Sequence, residues 1–339
     1  MEFIEEIKGQ AKKSPRTIVL PEGDEERIIK AVEVISKENI ARIILLGDKD
    51  AILSVAKKEG VESGGIFIIN PLTSEKRELY AHKFYELRKE KGVSLDESRE
   101  LLKDAMYYAT MMVYSGDADG VVSGAAHPTS WTLRPPLQVF KRTRNIKTVS
   151  AYFVMVVPDC PYGEKGLFIF ADCGMVPNPN AEQLAEIAIV SAETARGLIG
   201  VEPRVAMLSF STKGSGKDPI VDKIIKATSI AQRRRPDLLI DGELQGDSAL
   251  VPSIGRKKAP ASPVAGRANV LIFPDLNCGN IVYKLTERLA RAQAYGPLVQ
   301  GLDRPVNDLS RGCSVQDIVG VVAITVVQSQ ILGKQRTKS

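Results

Sequence analysis

The sequence is poor in the residues that build metal sites and covalent cross-links. Its 339 residues include two histidines, His82 and His127, and four widely separated cysteines with no C-x-x-C pair: Cys160, Cys173, Cys278 and Cys313. A zinc site of cysteine and histidine needs ligands at short spacings, and a disulfide framework needs denser cysteines in a secreted chain. We therefore expect no metal site, and reduced thiols in a cytoplasmic protein.

A strong charge excess and a long apolar run are also missing. The 46 basic and 41 acidic residues are interspersed, and the densest basic cluster, Arg233 to Arg235, is typical of a helix end before Pro236. This pattern argues against a nucleic-acid-binding protein. The acidic, amphipathic start of the chain is unlike a signal peptide, and no continuous apolar run reaches the roughly eighteen residues needed to span a bilayer. We expect a soluble protein without membrane contacts.

Short apolar segments alternate with amphipathic ones through the first part of the chain. Such alternation is typical of βαβ units and a largely parallel sheet, which predicts the α/β fold class. The predicted elements are strands at 17–20, 42–46, 66–69 and 120–124, and helices at 25–35, 74–91 and 95–114.

The pattern changes after residue 144, where two strands follow each other directly, and we place a domain boundary near residue 147. The second part is predicted to hold strands at 149–157, 167–171, 205–209, 238–241 and 270–273 and helices at 181–198, 220–233 and 281–293, with a surface loop at 255–266. These elements predict two α/β/α lobes with a cleft between them, where ligands commonly bind.

The segment from Ser310 to Asp317 carries a hydroxyl, a guanidinium and a carboxylate within eight residues. The apolar residues 318–332 that follow are long enough for four helical turns, so the segment is predicted to form the loop and first turn of a buried helix. Unpaired N–H groups at a helix N-terminus attract phosphate or carboxylate groups, and Arg311 adds a planar, permanent cation.

Two roles stay open for Asp317. Ser314 and Asp317 fit the S-x-x-D capping box, in which Asp317 supports the helix start. Alternatively, Asp317 accepts a proton during catalysis, and both roles are compatible.

Residues 211–217, Ser-Thr-Lys-Gly-Ser-Gly-Lys, resemble a phosphate-binding loop but match neither the Walker nor the dinucleotide pattern. They are either a plain turn between a strand and a helix or a loop that donates N–H groups to a phosphate. His127 likewise is either satisfied by nearby backbone or in contact with a ligand.

Several further blocks are distinctive: Ser123 to His127, Thr132 to Pro135, Asn178 to Glu182, Ser209 to Ser215, Asp241 to Gln245 and Phe273 to Asn277. Together with the 305–317 segment, they resemble phosphate acetyltransferases, members of the phosphate acetyl/butyryltransferase family, over essentially the whole chain.

This resemblance implies an acyltransferase of acetate metabolism that reversibly transfers an acetyl group between acetyl phosphate and coenzyme A. It implies no metal in the chemical step and no permanently bound cofactor, with coenzyme A, acetyl phosphate and phosphate as the molecules bound. It also implies a homodimer with a fold related to the isocitrate and isopropylmalate dehydrogenases. The first lobe would then comprise residues 1–147 and 302–339, and the second lobe residues 148–301.

The resemblance assigns the site residues as well. Ser310, Arg311 and Asp317 match the catalytic positions of the family, and Arg88 and Arg134 match two further functional arginines. Asp317 would act as the base, Ser310 and Arg311 would stabilise the transition state, and the other two arginines would bind anionic substrate.

One block departs from the usual family sequence, because Pro128, Thr129, Ser130 and Trp131 stand where Thr-Thr-Ala-Asp is common. We assign Thr129 and Thr132 to substrate binding, and expect Trp131 to narrow the pocket if it lines it. The alternatives are a phosphate butyryltransferase, a metal-dependent decarboxylating dehydrogenase of the same fold, and a non-catalytic binding module.

Overall fold

The computed structural model describes residues 2–62, 66–143 and 145–336. The chain divides into two compact units, one formed by residues 1–141 with 302–339 and the other by residues 142–301. The sequence placed the first boundary after residue 147, whereas the contacts change over after residue 141.

The helices and strands follow the chain in three stretches. Unit 1 begins with α1 Glu2–Lys12, β1 Thr17–Leu20, α2 Glu26–Lys37, β2 Arg42–Leu46, α3 Lys49–Lys58, β3 Phe67–Ile69, α4 Arg77–Arg88, α5 Leu95–Leu101, α6 Ala105–Ser115, β4 Gly120–Ser123 and α7 Thr129–Val139. Unit 2 contains β5 Ser150–Val156, β6 Leu167–Ala171, α8 Ala181–Thr194, β7 Arg204–Leu208, α9 Pro219–Arg234, β8 Leu239–Leu244, α10 Gly246–Leu250, α11 Pro252–Lys258, β9 Val270–Ile272, α12 Leu276–Leu289 and β10 Gln293–Gln300. Unit 1 is completed by β11 Val306–Asp308 and α13 Val315–Arg336.

The sheet of unit 1 is parallel, with the strand order β3-β2-β1-β4-β11. Its central strands are apolar runs, such as Ile18 to Leu20 in β1, because helices cover both faces of a parallel sheet. In the β4–β11 pair, Ser123 lies beside Asp308, so both strands end at the same level. The loops that follow them meet at the carboxyl edge of the sheet, where α/β proteins commonly bind ligands.

Helix α13 is the longest helix and packs against α1, α2 and the central strands of unit 1. Over Val315–Lys334 it is long and apolar enough to cross a membrane, with a mean hydropathy of 1.6. However, 61% of this stretch is buried inside the protein, as in the core helix of a globular domain. Its side chains from Ile318 to Val327 are almost all inaccessible to solvent, so the helix is part of the core.

The sheet of unit 2 has the order β10-β5-β6-β9-β7-β8, in which β5 is antiparallel to both of its neighbours and the other pairs are parallel. The two consecutive strands predicted after residue 144 are β5 and β6. The sequence did not predict β10, because Gly296 and Pro297 within it normally indicate a turn. The expected helix at 281–293 was wrong at both ends, since α12 begins at Leu276 after its N-cap Asp275 and ends at Leu289.

Two other expectations were wrong in part. The predicted helix at 95–114 is divided into α5 and α6, since the Asp104 side chain caps α6 by accepting the N–H groups of Met106 and Tyr107. The predicted surface loop at 255–266 begins inside α11, and its apolar residues Ala259 and Val264 are buried in the core of unit 2. The surface loop was predicted because residues 255–266 are rich in proline and lysine and contain few apolar residues.

Candidate active site

The loops after β4 and β11 follow two neighbouring strands of unit 1 and lie side by side. Residues 124–128 connect β4 to α7, and residues 309–314 connect β11 to α13. A backbone hydrogen bond of 2.7 Å from the Leu309 N–H to the Ser123 carbonyl joins the starts of the two loops. The segment predicted as the catalytic site therefore lies at the carboxyl edge of the sheet, beside the Gly124 to His127 block.

Glu22 holds the loop after β4. Its side chain is 3% exposed, and its two carboxylate oxygens accept the backbone N–H groups of Gly124, Ala125, Ala126 and His127, each at 2.9 Å. The N–H groups of this loop thus bind a carboxylate of the protein itself.

His127 is held by the same carboxylate. Its Nδ1 lies 2.7 Å from Glu22 Oε1, and its ring stacks on Trp131 with the ring centroids 4.0 Å apart. The indole N–H of Trp131 donates to Asp104 Oδ2 at 2.7 Å. Both interpretations of His127 stay open. Its backbone N–H and Nδ1 are satisfied within the protein, while Nε2 has no hydrogen-bond partner among the described residues.

Asp308, the last residue of β11, is almost completely buried under the two loops. Its Oδ2 accepts the Thr129 hydroxyl at 2.5 Å, while Oδ1 has no partner within the described part of the chain. Burial raises the pKa of Asp308 to about 6, against the lowering effect of the Thr129 hydrogen bond. Thr132 is fully buried beside the same carboxyl group, whereas Thr129 is exposed. Their assignment to substrate binding stays a prediction.

Gly124 explains how these groups fit together. Its φ of +107° lies in the range that favours glycine, and an added Cβ would be 2.1 Å from Asp308 Oδ1. Only a residue without a side chain allows the loop after β4 to pass so close to the buried carboxyl group.

Ser310 and Arg311 lie on the exposed part of the 309–314 loop. The Gly312 N–H donates to Ser310 Oγ at 3.3 Å, and the Cys313 N–H donates to the Ser310 carbonyl at 2.8 Å, which gives the loop a tight local turn. The hydroxyl and the guanidinium are therefore accessible to a ligand.

Asp317 forms the capping box that its spacing predicted. Its Oδ2 accepts the backbone N–H and the hydroxyl of Ser314, both at 2.8 Å, and its own N–H donates to Ser314 Oγ at 3.2 Å. Oδ1 makes no hydrogen bond within the described residues. The cap is confirmed, and one oxygen of the carboxylate stays available to accept a proton.

Arg27, in helix α2, connects the two loops. Its guanidinium donates to the carbonyls of Arg311 at 2.8 Å, Cys313 at 2.9 Å and Ala125 at 2.8 Å. The sequence analysis missed both Arg27 and Glu22. The available signal was the polar segment directly after β1, since loops at the carboxyl ends of adjacent parallel strands meet.

Arg88 and Arg134 both lie close enough to Tyr107 to influence the charge of its hydroxyl. Burial raises the pKa of Tyr107, and the two arginines oppose this rise. Arg134 also lines an open cavity of 810 Å³ together with Lys91, Ser94, Arg99, Tyr107 and Gln138. The same lining also contains the carboxylates of Asp96, Glu97 and Glu100, so the cavity carries both signs of charge, and the roles of the two arginines stay predictions.

The cysteine nearest the predicted site is an unsuitable nucleophile. Burial raises the pKa of the Cys313 thiol to about 11, although Arg27 opposes the rise. The thiolate is the reactive form, so this side chain stays a thiol at neutral pH. All four cysteines are free thiols.

The 211–217 loop of unit 2 is closed by its own contacts. The buried Glu243 accepts the Gly214 N–H at 2.7 Å and the Ser211 hydroxyl at 2.9 Å, and Ser211 Oγ in turn accepts the Gly216 N–H at 2.9 Å. A carboxylate thus occupies the place that a bound phosphate would take, which favours the interpretation as a turn. In the described residues, no group of three or more histidine, cysteine, aspartate or glutamate side chains is arranged to hold a metal ion.

Similar structures confirm the predicted fold class. The chain shares its fold with a 4-hydroxythreonine-4-phosphate dehydrogenase from Burkholderia phymatum, with a TM-score of 0.50 and 15% identity over 94% of this chain and 97% of that one. It is thus an α/β protein of a dehydrogenase-like fold, with polar loops at the carboxyl edge of a parallel sheet.

Closer relatives define the family. The model of the phosphate acetyl/butaryl transferase family matches residues 2–326. The chain is 54% identical to the phosphate acetyltransferase of Acetivibrio thermocellus over 97% of this chain and 99% of that protein, and 56% identical to that of Thermoanaerobacterium thermosaccharolyticum over 97% and 100%. A phosphotransacetylase from Streptococcus pyogenes has a TM-score of 0.91 and 42% identity over 97% of this chain and 98% of that one. The chain belongs to the phosphate acetyl/butaryl transferase family, as its motifs predicted, and this is a family of acyltransferases.

Proposed function

We propose that the protein is a phosphate acetyltransferase, which converts acetyl phosphate and coenzyme A into acetyl-CoA and phosphate, and the reverse. The observation that carries the proposal is the exposed Ser310 and Arg311 pair on the loop before Asp317, whose Oδ1 makes no hydrogen bond within the described residues, in a chain more than half identical to phosphate acetyltransferases. The reaction belongs to acetate metabolism and needs no permanently bound cofactor.

Asp317 is the proposed base. A free thiol with a pKa of about 8.5 is only a few per cent ionised at neutral pH, so the coenzyme A thiol needs a proton acceptor. Oδ2 of Asp317 keeps the helix cap while Oδ1 accepts this proton. Cap and base therefore use different oxygens of one carboxylate.

Ser310 and Arg311 are proposed to stabilise the transition state. When the thiolate attacks the acetyl carbonyl, negative charge develops on the carbonyl oxygen and then on the departing phosphate. A fixed donor at such a position contributes on the order of 10²-fold or more to the rate. The S–C bond forms as the bond between the carbonyl carbon and the phosphate oxygen breaks, and the phosphate leaves with its electron pair.

Arg134 and Arg88 are proposed to bind the anionic groups of the substrates. A guanidinium holds a phosphate through two parallel hydrogen bonds, which fixes its orientation as well as its charge. Orientation of both substrates makes the attack effectively intramolecular. Thr129 is a further proposed substrate contact, because the residue is exposed and its hydroxyl is fixed by the hydrogen bond to the buried Asp308.

The test is the coenzyme-A-dependent consumption of acetyl phosphate with formation of the thioester. Butyryl phosphate serves as the competing substrate, and excess EDTA together with a nicotinamide assay tests the dehydrogenase alternative. We expect acetyl transfer that is insensitive to EDTA, with a higher kcat/KM for acetyl than for butyryl phosphate. A folded protein that binds coenzyme A without turnover would contradict the proposal and favour a binding module.

We also propose a cytoplasmic homodimer that associates through the apolar face of α12. Ile281, Leu285 and Leu289 follow each other at helical spacing and are 56%, 51% and 81% exposed. Contiguous exposed apolar side chains of this kind mark protein interfaces. Sedimentation should give a dimer for the wild type and a monomer for Leu285→Glu, with Arg288→Glu on the same helix as the matched control. A monomeric wild type would refute the dimer.

A further inference from the structure

Arg27 belongs to no sequence motif, yet its guanidinium donates hydrogen bonds to carbonyls of both loops of the candidate site. We propose that Arg27 is a positioning residue, which fixes the 309–314 loop so that Ser310 and Arg311 face the reacting groups. The inference rests on the proposed function for its chemistry, while the loop-fixing role itself is open to a separate test.

The guanidinium of Arg27 uses its donors in several directions. Nη1 donates to the carbonyls on either side of Gly312, those of Arg311 and Cys313, and Nη2 donates to Ala125 on the neighbouring loop. The fourth contact, from Nε to Glu25 Oε1 at 2.7 Å, orients the guanidinium plane. One side chain therefore sets the distance between two loops whose residues are 98 to 286 positions away in the sequence.

The other hydrogen bonds of the 309–314 loop do not fix the position of its exposed part. The hydrogen bonds of Gly312 and Cys313 N–H return to Ser310, so they shape the turn without attaching it to the rest of unit 1. Arg27 is the only hydrogen-bond donor to the Arg311 carbonyl among the described residues. Without Arg27, the exposed part of the loop would be attached only at its ends, through Leu309 and Ser314.

The location of Arg27 also argues for a role beyond helix stability. It is the second residue of α2, whose N-cap is Glu25. A cation is unfavourable near the positive end of a helix dipole, so propensity and electrostatics would favour an acidic residue there. Deviations from such local preferences are concentrated at functional sites.

An arginine suits this role because it has five donors in a rigid plane. A lysine would keep the charge, but its compact ammonium cannot span carbonyls on two loops with the same geometry.

The experiment compares Arg27→Gln and Arg27→Lys with the control Lys30→Gln. Lys30 lies on the same helix and forms an ion pair with Glu59, away from the loop. A misplacement of catalytic groups by about 1 Å costs on the order of 10²-fold in rate, so we expect kcat of Arg27→Gln to fall by roughly that factor. Both KM values should change by less than about 3-fold because the substrate contacts remain, and Arg27→Lys should recover part of kcat. The control should keep the wild-type kcat.

Hydrogen exchange of the peptide that covers residues 309–314 is the second measurement, and it does not depend on activity. Loss of the Arg27 contacts should speed exchange of this peptide by about 10-fold or more in Arg27→Gln, with no change in Lys30→Gln. Wild-type kcat in a correctly folded Arg27→Gln, or unchanged exchange in that variant, overturns the inference. If the wild type lacks acetyl transfer, the proposed function fails, and the exchange rates alone decide whether Arg27 positions the loop.

Discussion

Asp308→Asn is expected to remove a pH dependence of folding that arises from one buried carboxyl group. The substitution keeps the shape of the side chain, and the amide oxygen can still accept the Thr129 hydroxyl that bonds Asp308 at 2.5 Å in the wild type. What changes is the ability of residue 308 to ionise under the two loops. Its position at the end of β11, almost inaccessible to solvent, makes ionisation unfavourable in the folded protein.

The magnitude follows from the pKa. Burial raises the pKa of Asp308 to about 6 from an ordinary 3.8, a difference of roughly 2 units or about 3 kcal/mol. Because the folded pKa is the higher one, the folded state binds the proton more tightly. The stabilising contribution is therefore complete below pH 3.8, decreases as the pH rises, and is lost above about pH 6.

The assay is urea unfolding of wild type and Asp308→Asn at a series of pH values from about 4 to 8. Relative to the variant, the wild type should lose most of this roughly 3 kcal/mol of unfolding free energy between pH 4 and 7, with equal m-values. The other titrating groups contribute equally to the unfolding free energies of both proteins, so their contributions cancel in the difference. A constant difference over this range, or one with the opposite slope, would refute the argument that Asp308 is buried at a cost to its ionised form.

Three further predictions concern the site. Arg311→Lys should lose most of kcat, because lysine cannot make the two parallel hydrogen bonds of a guanidinium. Arg134→Lys should mainly raise KM for acetyl phosphate. If the two kinetic effects were exchanged between the variants, the assignments would be contradicted. Ser314→Ala should lower stability by about 1 kcal/mol with little loss of activity, while Asp317→Asn should keep the thermal midpoint and lose activity. The reverse result would leave Asp317 only as a cap. Gly124→Ala should lower the free energy of unfolding by roughly 2 kcal/mol or more, measured as a lower denaturant midpoint, because the new methyl group clashes with Asp308.

Local sequence patterns predicted those parts of the structure that depend on neighbours in the chain. The S-x-x-D spacing gave the capping box of Ser314 and Asp317, and the alternation of apolar segments gave the parallel strands of unit 1. Both follow from contacts within a few residues or from the period of a single element. The same information could not decide whether Asp317 also accepts a proton, as proposed, because the capping box uses only one oxygen of its carboxylate within the described residues.

Contacts between distant residues were beyond such patterns. Glu22 and Arg27 bind loops about 100 to 290 positions away, and neither residue belongs to a recognisable motif. Strand β10 was missed for a related reason, because its pairing with β5 depends on a partner more than a hundred residues earlier and includes a Gly-Pro pair. The family resemblance supplied the candidate residues, whereas only the fold identified what holds them.

The discontinuous composition of unit 1 has a consequence for biosynthesis. Residues 142–301 form unit 2 from one uninterrupted stretch, so this unit can fold on the ribosome as soon as it has emerged. Unit 1 must wait, because β11 and α13 supply a strand of its sheet and its central helix. Nascent chains that end before residue 302 should therefore expose the apolar surfaces of α1 and α2 that α13 later covers. We expect chaperones to bind such chains at these helices, and release to coincide with synthesis of the segment that also carries Ser310, Arg311 and Asp317.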